Sequence, residues 1–367
     1  MQSTRKMNEK IIMGVSGGVD SAVSLKLLCE QGYDVEALFM KNWDEDDENG
    51  CNAKEDLEYA QDACDKLNVK LHTANFSDEY WNNVFLDFIN NYKNGYTPNP
   101  DVLCNKYIKF TVFTEYAIKL GASKIATGHY AKILNRDSRH YLVLPKDKKK
   151  DQTYFLHTLD QKQLSRSLFP LSDLEKIEVK NIAKLAGFKS YNKKESMGIC
   201  FIGNKKFKNF IKKYIKNIPG NIINEDNEVI GKHNGMFYTT IGQREGIGIG
   251  GLKNSKNLPW YVYKKDLQNN ELFVCQGNTN PLLFQKKIYI KDLEIITNNT
   301  NDVLNKNLQC QIRHLGEKYQ CVIKNINNNL YVVMSEKPIR APAQGQSLVI
   351  YDKNICLGGG IITNGKN

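Results

Sequence analysis

Apolar residues in the first third of the chain fall into alternating strand and helix periods. Lys10 to Val15, KIIMGV, is a short apolar run that leads into a Gly/Ser loop. Ala22, Val23, Leu25, Leu27 and Leu28 follow in a helix-compatible stretch that closes at Gly32, a residue suited to a helix C-terminus. Val35 to Met40 reads as a buried strand, Leu57, Ala60, Ala63, Cys64 and Leu67 recur at helical spacing, and Val69 to Thr73 is strand-like. Trp81, Val84, Phe85, Phe88 and Ile89 form an i, i+3, i+4, i+7, i+8 stripe. After a Pro-rich loop, Ile108, Val112, Tyr116 and Leu120 predict another helix, and Lys124 to Thr127 a strand. Such alternation predicts an α/β fold, a parallel sheet wrapped by helices, with ligands beyond the carboxyl ends of its strands.

From about Lys205 the period changes. Phe207, Phe210, Ile211 and Tyr214 mark one short amphipathic helix, ended by Pro219-Gly220. Then come short alternating runs: YVYKKD, LFVCQG, LQCQIR, YQCVIK, LYVVMS and SLVIYD. Asn, Gly and Asp separate them, with Asn298 to Asn301 and Asn327 to Asn329 as turns. The spacing predicts an all-β C-terminal region closed into a small barrel. Three parts are expected: 1–204, 205–277 and 278–367.

Composition narrows the class. A chain of 367 residues with 41% hydrophobic and 25% charged residues is ordinary for a multi-domain globular protein. No apolar run approaches the roughly 20 residues of a membrane span, and MQSTRKMNEK has no signal-peptide core, so a cytoplasmic protein is expected. The formal charge of +11 suits a polyanionic partner. Nine cysteines without a CxxC speak for a reducing compartment and against zinc ribbons and iron–sulfur clusters. Cys29 and Cys64 sit on helical stripes, and Cys275, Cys310, Cys321 and Cys356 in β patterns. All six read as small buried hydrophobes, while Cys51 lies in a polar loop.

The strongest local signal is GVSGGVDS, residues Gly14, Val15, Ser16, Gly17, Gly18, Val19, Asp20 and Ser21. It leaves a strand and enters a helix whose first N–H groups and positive dipole end favour an anion. The GK[ST] ending of a Walker loop is missing, and Asp20 stands where an acid could hold Mg²⁺ bridging phosphates. SGGVDS resembles the signature of the PP-loop ATP pyrophosphatases. That likeness implies cleavage of ATP to AMP and pyrophosphate with adenylation of a substrate oxygen. It implies a sheet of the adenine-nucleotide-hydrolase (PP-loop) type, followed by a small central domain and a C-terminal β-barrel. The loop alone leaves amide synthetases and tRNA-thiolating enzymes open.

Two cysteines sit in motifs. TPNPDVLCNKYIKF holds Asp101 three residues before Cys104, near a helix start that favours thiolate, and ESMGICFIG holds Cys200. Together with MKNW, TGHYA, KDQTYFL, the GQREGIGIGG segment (Gly242 to Gly251) and CLGGGII, these motifs resemble the tRNA-specific 2-thiouridylases. The likeness runs from about Lys10 to Ile362.

The resemblance implies that Cys200 carries a persulfide, that Cys104 is the nucleophile, and that a disulfide forms during turnover. Asp101 is implied as general acid/base and, with Asn99 and Pro100, as a contact to the target base. Gly14 to Ser21 would bind ATP phosphates, and Met40 and Gly128 the nucleoside. Lys150, Asp151, Gln152, Arg313 and His314 match tRNA contacts of the family. Partners implied are tRNA and a persulfide-donating relay protein or cysteine desulfurase; the cofactors are ATP and transient Mg²⁺, with no resident metal. His129 is left between a place beside the nucleotide and a structural one. Gly242 to Gly251 is left between a mobile loop and fixed turns, and Asp44 to Glu48 reads as an exposed acidic loop rather than a metal site. Tyr96, Tyr107 and the His314-Leu315 pair depart from the family's usual residues.

Overall fold

The computed structural model describes residues 9–43, 53–194, 211–249, 258–327 and 329–365. Along the chain, β1 (Lys10–Val15), α1 (Val19–Glu30), β2 (Asp34–Lys41), α2 (Ala53–Leu67), β3 (Leu71–Asn75) and β4 (Lys124–Ala126) come first. After them, β5 (Lys132–Arg136) and β6 (Arg139–Val143) form a hairpin, and β7 (Ser167–Leu168) ends the first sheet. That sheet runs β3-β2-β1-β4-β7, with every neighbour parallel. β1 reads as one apolar run because both faces are covered. Ile11, Met13 and Val15 pack with Leu25 and Leu28 of α1 and Cys64 of α2. Ile12 lies in the opposite cluster, with Phe85, Phe88, Ile108 and Phe113. The strand order reverses direction between β1 and β4, which opens a crevice at their carboxyl ends. The expected strand at 69–73 lies two residues later, at Leu71–Asn75, because Val69 still bonds back to Cys64 O at the end of α2.

Helices 77–93 and 100–119 are each continuous but change gauge. Their middle parts, Trp81–Phe85 and Cys104–Val112, take wide i→i+5 turns. The effect on the second is a rotated face. The stripe Ile108, Val112, Tyr116, Leu120 expected from an ordinary helical period is replaced by buried Ile108, Phe113 and Ala117. One step of five residues at the wide segment moves every later core position by one.

The central region is a four-stranded sheet in the order β10-β11-β8-β9, from β8 (Gly220–Ile223), β9 (Val229–His233), β10 (Trp260–Asp266) and β11 (Glu271–Gln276). Its core is Ile222, Ile247, Val262, Leu272 and Val274. Ile247 is buried in this core, and the described part of the glycine-rich stretch, 242–249, runs through turns and irregular chain. The helix expected over 207–214 is described only from Ile211, and Ile211 and Ile215 join the main core.

The last six strands are β12 (Phe284–Ile295), β13 (Leu308–Gln311), β14 (Tyr319–Asn327), β15 (Leu330–Arg340), β16 (Ser347–Asp352) and β17 (Ile355–Thr363). They close into a barrel through pairing of β12 with β17. The sheet then runs on from β17 into the β6–β5 hairpin of the N-terminal part, Val143 pairing with Ile355. No helix among the described residues is long and apolar enough to cross a membrane.

The loop before Asp101 is held by both later regions. Thr97 N donates to Gln344 O at 2.8 Å, and Gln346 Nε2 donates to Thr97 O at 2.6 Å. From the central sheet, Lys265 Nζ donates to Gly95 O at 3.0 Å. Burial pushes the Lys265 ammonium down to about 8. A buried cation answered by one carbonyl costs stability. The native state therefore binds fewer protons than the unfolded chain between about pH 8 and the ordinary lysine value near 10.4, and stability rises with pH across that window. Lys265→Met should raise Tm below pH 8, and the gain should fade towards pH 10; thermal melts at both ends of the window check this.

Candidate active site

The phosphate-type loop is built by close approach. Gly17 has φ +70°, and a Cβ there would stand 2.2 Å from the carbonyl oxygen of Asp56 in the first turn of α2. Gly128, two residues past β4, would place a Cβ 3.0 Å from Ser21 N. Gly18 is the N-cap of α1 and gives no side-chain cap, so the helix end keeps its unpaired N–H groups for an anion. Ser21 Oγ donates to Gly18 O at 2.9 Å and accepts from Ser16 N at 3.2 Å, which closes the loop on itself. Met40 ends β2 one residue before Lys41, and the register pairs Val15 with Phe39 and Met13 with Ala126. The loop, Met40 and Gly128 thus share one edge of the sheet.

Sequence reading missed the groups around Asp20. Lys176 Nζ bonds both Asp20 oxygens, at 2.7 and 2.8 Å, and Tyr130 OH donates to Oδ1 at 3.0 Å. Lys176 opens the helix Lys176–Leu185, and its own N–H bonds Asp147 Oδ2 at 3.0 Å. A lysine 156 residues away in sequence carries no local signal of this pairing. Its ammonium balances the loop acid at a place where phosphates would otherwise meet a lone carboxylate.

Asp101 and Cys104 lie at the start of helix 100–119. Asn99 caps it, accepting from Asp101 N at 3.1 Å, and Pro100 occupies the first turn, where its missing N–H costs nothing. Cys104 is 2% exposed and begins the wide segment. Thr111 Oγ1 donates to Lys106 O at 2.8 Å, and Gln163 Nε2 reaches Lys106 O, Phe110 O and Thr111 Oγ1 at 3.3, 3.3 and 3.1 Å. These bonds serve carbonyls that the wide turns leave without ordinary partners. Asn105 Nδ2 donates to Phe155 O at 3.2 Å, and Lys106 pairs with Glu294 of β12 at 2.6 Å. At the far end Phe113 Cε1 comes 3.1 Å from a Cβ position on Gly14. One helix therefore runs from the loop strand to the barrel.

Burial pushes the Asp101 carboxyl up, against the pull of Lys109 and His314. His129, two residues past Thr127, accepts or donates at Nδ1 with Thr127 Oγ1 at 2.8 Å and packs on Phe110 at 5.8 Å. Burial, and then the Lys109 charge, hold it well below the usual histidine range, so it is a neutral imidazole. Lys109 acts on both Asp101 and His129 and was not singled out from sequence, although NKYIKF contains it.

The candidate tRNA residues divide. Asp151 is 7% exposed, and its carboxylate accepts from Thr153 N and Oγ1 at 2.9 and 2.7 Å, so its side chain caps a turn. Its carbonyl instead meets His314 Nε2 at 2.7 Å. Gln152 Oε1 accepts from Tyr130 N at 2.9 Å, which ties this turn to the TGHYA segment. His314 packs on Phe155 at 4.4 Å, and Arg313 Nη2 donates to Ala341 O at 3.0 Å. Lys150 ends the turn Lys148–Lys150. Asp101, His314, Asp151 and Gln152 are thus linked into one neighbourhood.

Cys64, Cys275, Cys310, Cys321 and Cys356 are buried, and Cys29 is half-buried. Burial pushes the Cys29 thiol up and the Cys64 thiol up to about 12, as a structural cysteine requires. Cys200, Cys51 and the acidic stretch 44–48 lie outside the described residues. The flanks of 195–210 are described. On one side Lys193 pairs with Asp56, whose carbonyl lies on Gly17; on the other Ile211 is buried in the main core.

Three family models match the chain: a tRNA methyl transferase HUP domain over residues 9–204, a tRNA methyl transferase PRC-barrel domain over 208–276, and an aminomethyltransferase beta-barrel domain over 285–362. The tRNA-specific 2-thiouridylase of Pseudomonas aeruginosa (strain UCBPP-PA14) is 50% identical over 355 residues, 96% of this chain and 94% of that one. That of Stutzerimonas stutzeri (strain A1501) is 50% identical over 354 residues, with the same shares covered. The chain belongs to the tRNA-specific 2-thiouridylase family.

Main-chain neighbours press on both glycines of this 2-thiouridylase: a Cβ on Gly17 would overlap Asp56 O, and one on Gly128 would be tight against Ser21 N. Gly17→Ala combines a Cβ clash with a positive φ. It should cost about 1–3 kcal/mol of stability. Chemical denaturation of the variant against the parent checks this.

Proposed function

We propose that the protein is an ATP-dependent tRNA-uridine 2-sulfurtransferase acting on the wobble uridine of tRNAs for Lys, Glu and Gln. The observation that carries this reading is the union, in a chain of this family, of an uncapped glycine cradle with an acid–thiol helix packed beneath it. ATP would lie with its phosphates on Gly14 to Ser21 and its nucleoside against Met40 and Gly128. Asp20 is one carboxylate, and among the described residues no group of metal-binding side chains surrounds it. Mg²⁺ would therefore take its other ligands from phosphate oxygens and water, and would neutralise phosphate charge there. Lys176 holds Asp20 in place for that contact.

Oxide is a poor leaving group at C2 of uridine, and AMP is a good one. The C2 oxygen attacks the α-phosphorus, the bond to the β-phosphate breaks, and pyrophosphate leaves. Asp101, whose affinity for a proton is raised by burial, receives the proton of N3. The terminal sulfur of a persulfide on Cys200 then bonds C2, and AMP departs with the oxygen. Cys104 thiolate attacks Cys200 Sγ, the S–S bond breaks towards the substrate sulfur, and a Cys104–Cys200 disulfide remains. The proton returns to N3. A thiol reductant resets the disulfide, and a relay protein or cysteine desulfurase reloads the persulfide. A wobble base is unstacked cheaply, and Asn99, Pro100, Lys150, Asp151, Gln152, Arg313 and His314 would hold the anticodon arm around it.

Incubation with unmodified tRNA, ATP, Mg²⁺ and a persulfide donor should yield 2-thiouridine by nucleoside mass spectrometry. Its absence with folded protein would overturn the reading. Cys104→Ser and Cys200→Ser should abolish product while tRNA binding persists. Asp101→Asn should slow thiolation by about a hundredfold or more. Pyrophosphate release stimulated by a small carboxylate and not by tRNA would favour an amide synthetase instead.

A further inference from the structure

Two guanidinium groups of the barrel converge on one point of the central domain. The position that a Cβ on Gly242 would take lies 3.4 Å from Arg313 Nη2 and 3.5 Å from Arg340 Nη1, so these nitrogens are at most about 7 Å apart. Among the described residues neither arginine is paired with a carboxylate. Each spends one donor on a main-chain carbonyl: Arg313 on Ala341 at 3.0 Å, and Arg340, through Nε, on Asn278 at 3.3 Å. A guanidinium has five N–H donors, so most of each fork is left without a carbonyl or carboxylate partner among the described residues. Arg340 also lies over the Tyr261 ring at 5.1 Å, which fixes its plane from the central side.

The backbone is bent to hold this arrangement. Ala341 has φ +53° and Leu315 has φ +54°, a region that costs a residue with a Cβ about 1–2 kcal/mol. Ala341 is kept there by its N–H to Leu283 O at 2.7 Å, and its carbonyl is the group that orients Arg313. Strain and like-charge repulsion thus coincide at one spot with no carboxylate paired to either arginine among the described residues. Burial, and then the Arg340 charge, already pull the Arg313 guanidinium below its ordinary value. Such a site is relieved by an outside anion. Two oxygens on one phosphorus, each accepting at about 2.8 Å, span a gap of this size.

We propose that Arg313 and Arg340 form a two-armed seat for a single RNA phosphodiester, at the joint of the central domain and the barrel. This rests on the reading that the substrate is tRNA, and it adds Arg340 and a shared phosphate to it. Next to Arg313, His314 bonds the carbonyl of Asp151. A phosphate drawn into the seat would therefore be set one residue away from the neighbourhood of Asp101.

Binding of labelled unmodified tRNA to the full chain, measured between about 50 and 200 mM salt, tests the seat. Arg340→Ala should weaken binding by about three- to tenfold, and removing both arginines should flatten the log–log salt slope by about 0.9. The Arg313→Ala, Arg340→Ala double variant should lose less than the product of the two single losses, because one phosphate is shared. Arg340→Lys should keep the wild-type slope with part of the affinity, and it stands in if the alanine variant fails to fold. Unchanged affinity and slope in folded Arg340→Ala, with wild type binding and thiolating tRNA, would overturn the seat and leave the function intact. Wild type that binds no tRNA would overturn the underlying reading. If inorganic phosphate competes at Arg340 while tRNA affinity ignores the substitution, the site takes free phosphate and the proposal also falls.

Discussion

The contact on which the site depends is the approach of two main-chain segments to the first turn of α1. Asp56 O lies against Gly17 on one side, and Ser21 N against Gly128 on the other. The first contact excludes any side chain and the second leaves little room for one, so the loop is defined by what its neighbours exclude. The approach is possible because β1 and β4 are adjacent and parallel, which brings the ends of two crossovers to one edge. It leaves a helix N-terminus uncapped by any side chain, with its positive end turned to the crevice. Asp20 would spoil that potential if it stood alone; Lys176 and Tyr130 absorb its charge.

Around the thiol helix the governing quantity is dryness. Cys104, Asn105 and His129 are buried, and Asp101 is held towards its protonated form. In a medium of low dielectric, Lys109 acts on Asp101 and His129 together. The wide turns matter here. They rotate Phe113 towards Gly14 and set free carbonyls that Gln163 and Thr111 then serve. The same helix ties to the barrel through Lys106 and Glu294.

Much of this was readable from residues alone, and the failures have causes. The parallel sheet, α1, α2 and the six alternating β runs of the second half follow from period and turn chemistry, because each is decided within a few residues. The buried stripe after Ile108 was misread because nothing in a helical period announces an i→i+5 turn. The β5–β6 hairpin was overlooked because LNRDSRHYLV is polar, and its burial comes from β17, far along the chain. Lys176 carries no local signal for a related reason: lysine is ordinary at a surface, and only the tertiary fold brings it to Asp20. Asp151 was legible as a motif residue, yet its carboxylate caps a turn, and its carbonyl makes the contact to His314.

The hairpin that continues the barrel sheet has a consequence for biogenesis. Val143 must wait for Ile355, roughly two hundred residues later in synthesis. Until then a nascent chain carries an unpaired strand edge beside a finished parallel-sheet fold, the kind of edge that recruits foreign strands. Docking of β17 therefore does double service: it silences that edge, and it welds the first and last parts of the polypeptide into one body. A truncated translation product would keep its glycine loop while displaying an adhesive flank, so premature termination would leave a chain open to foreign strand pairing.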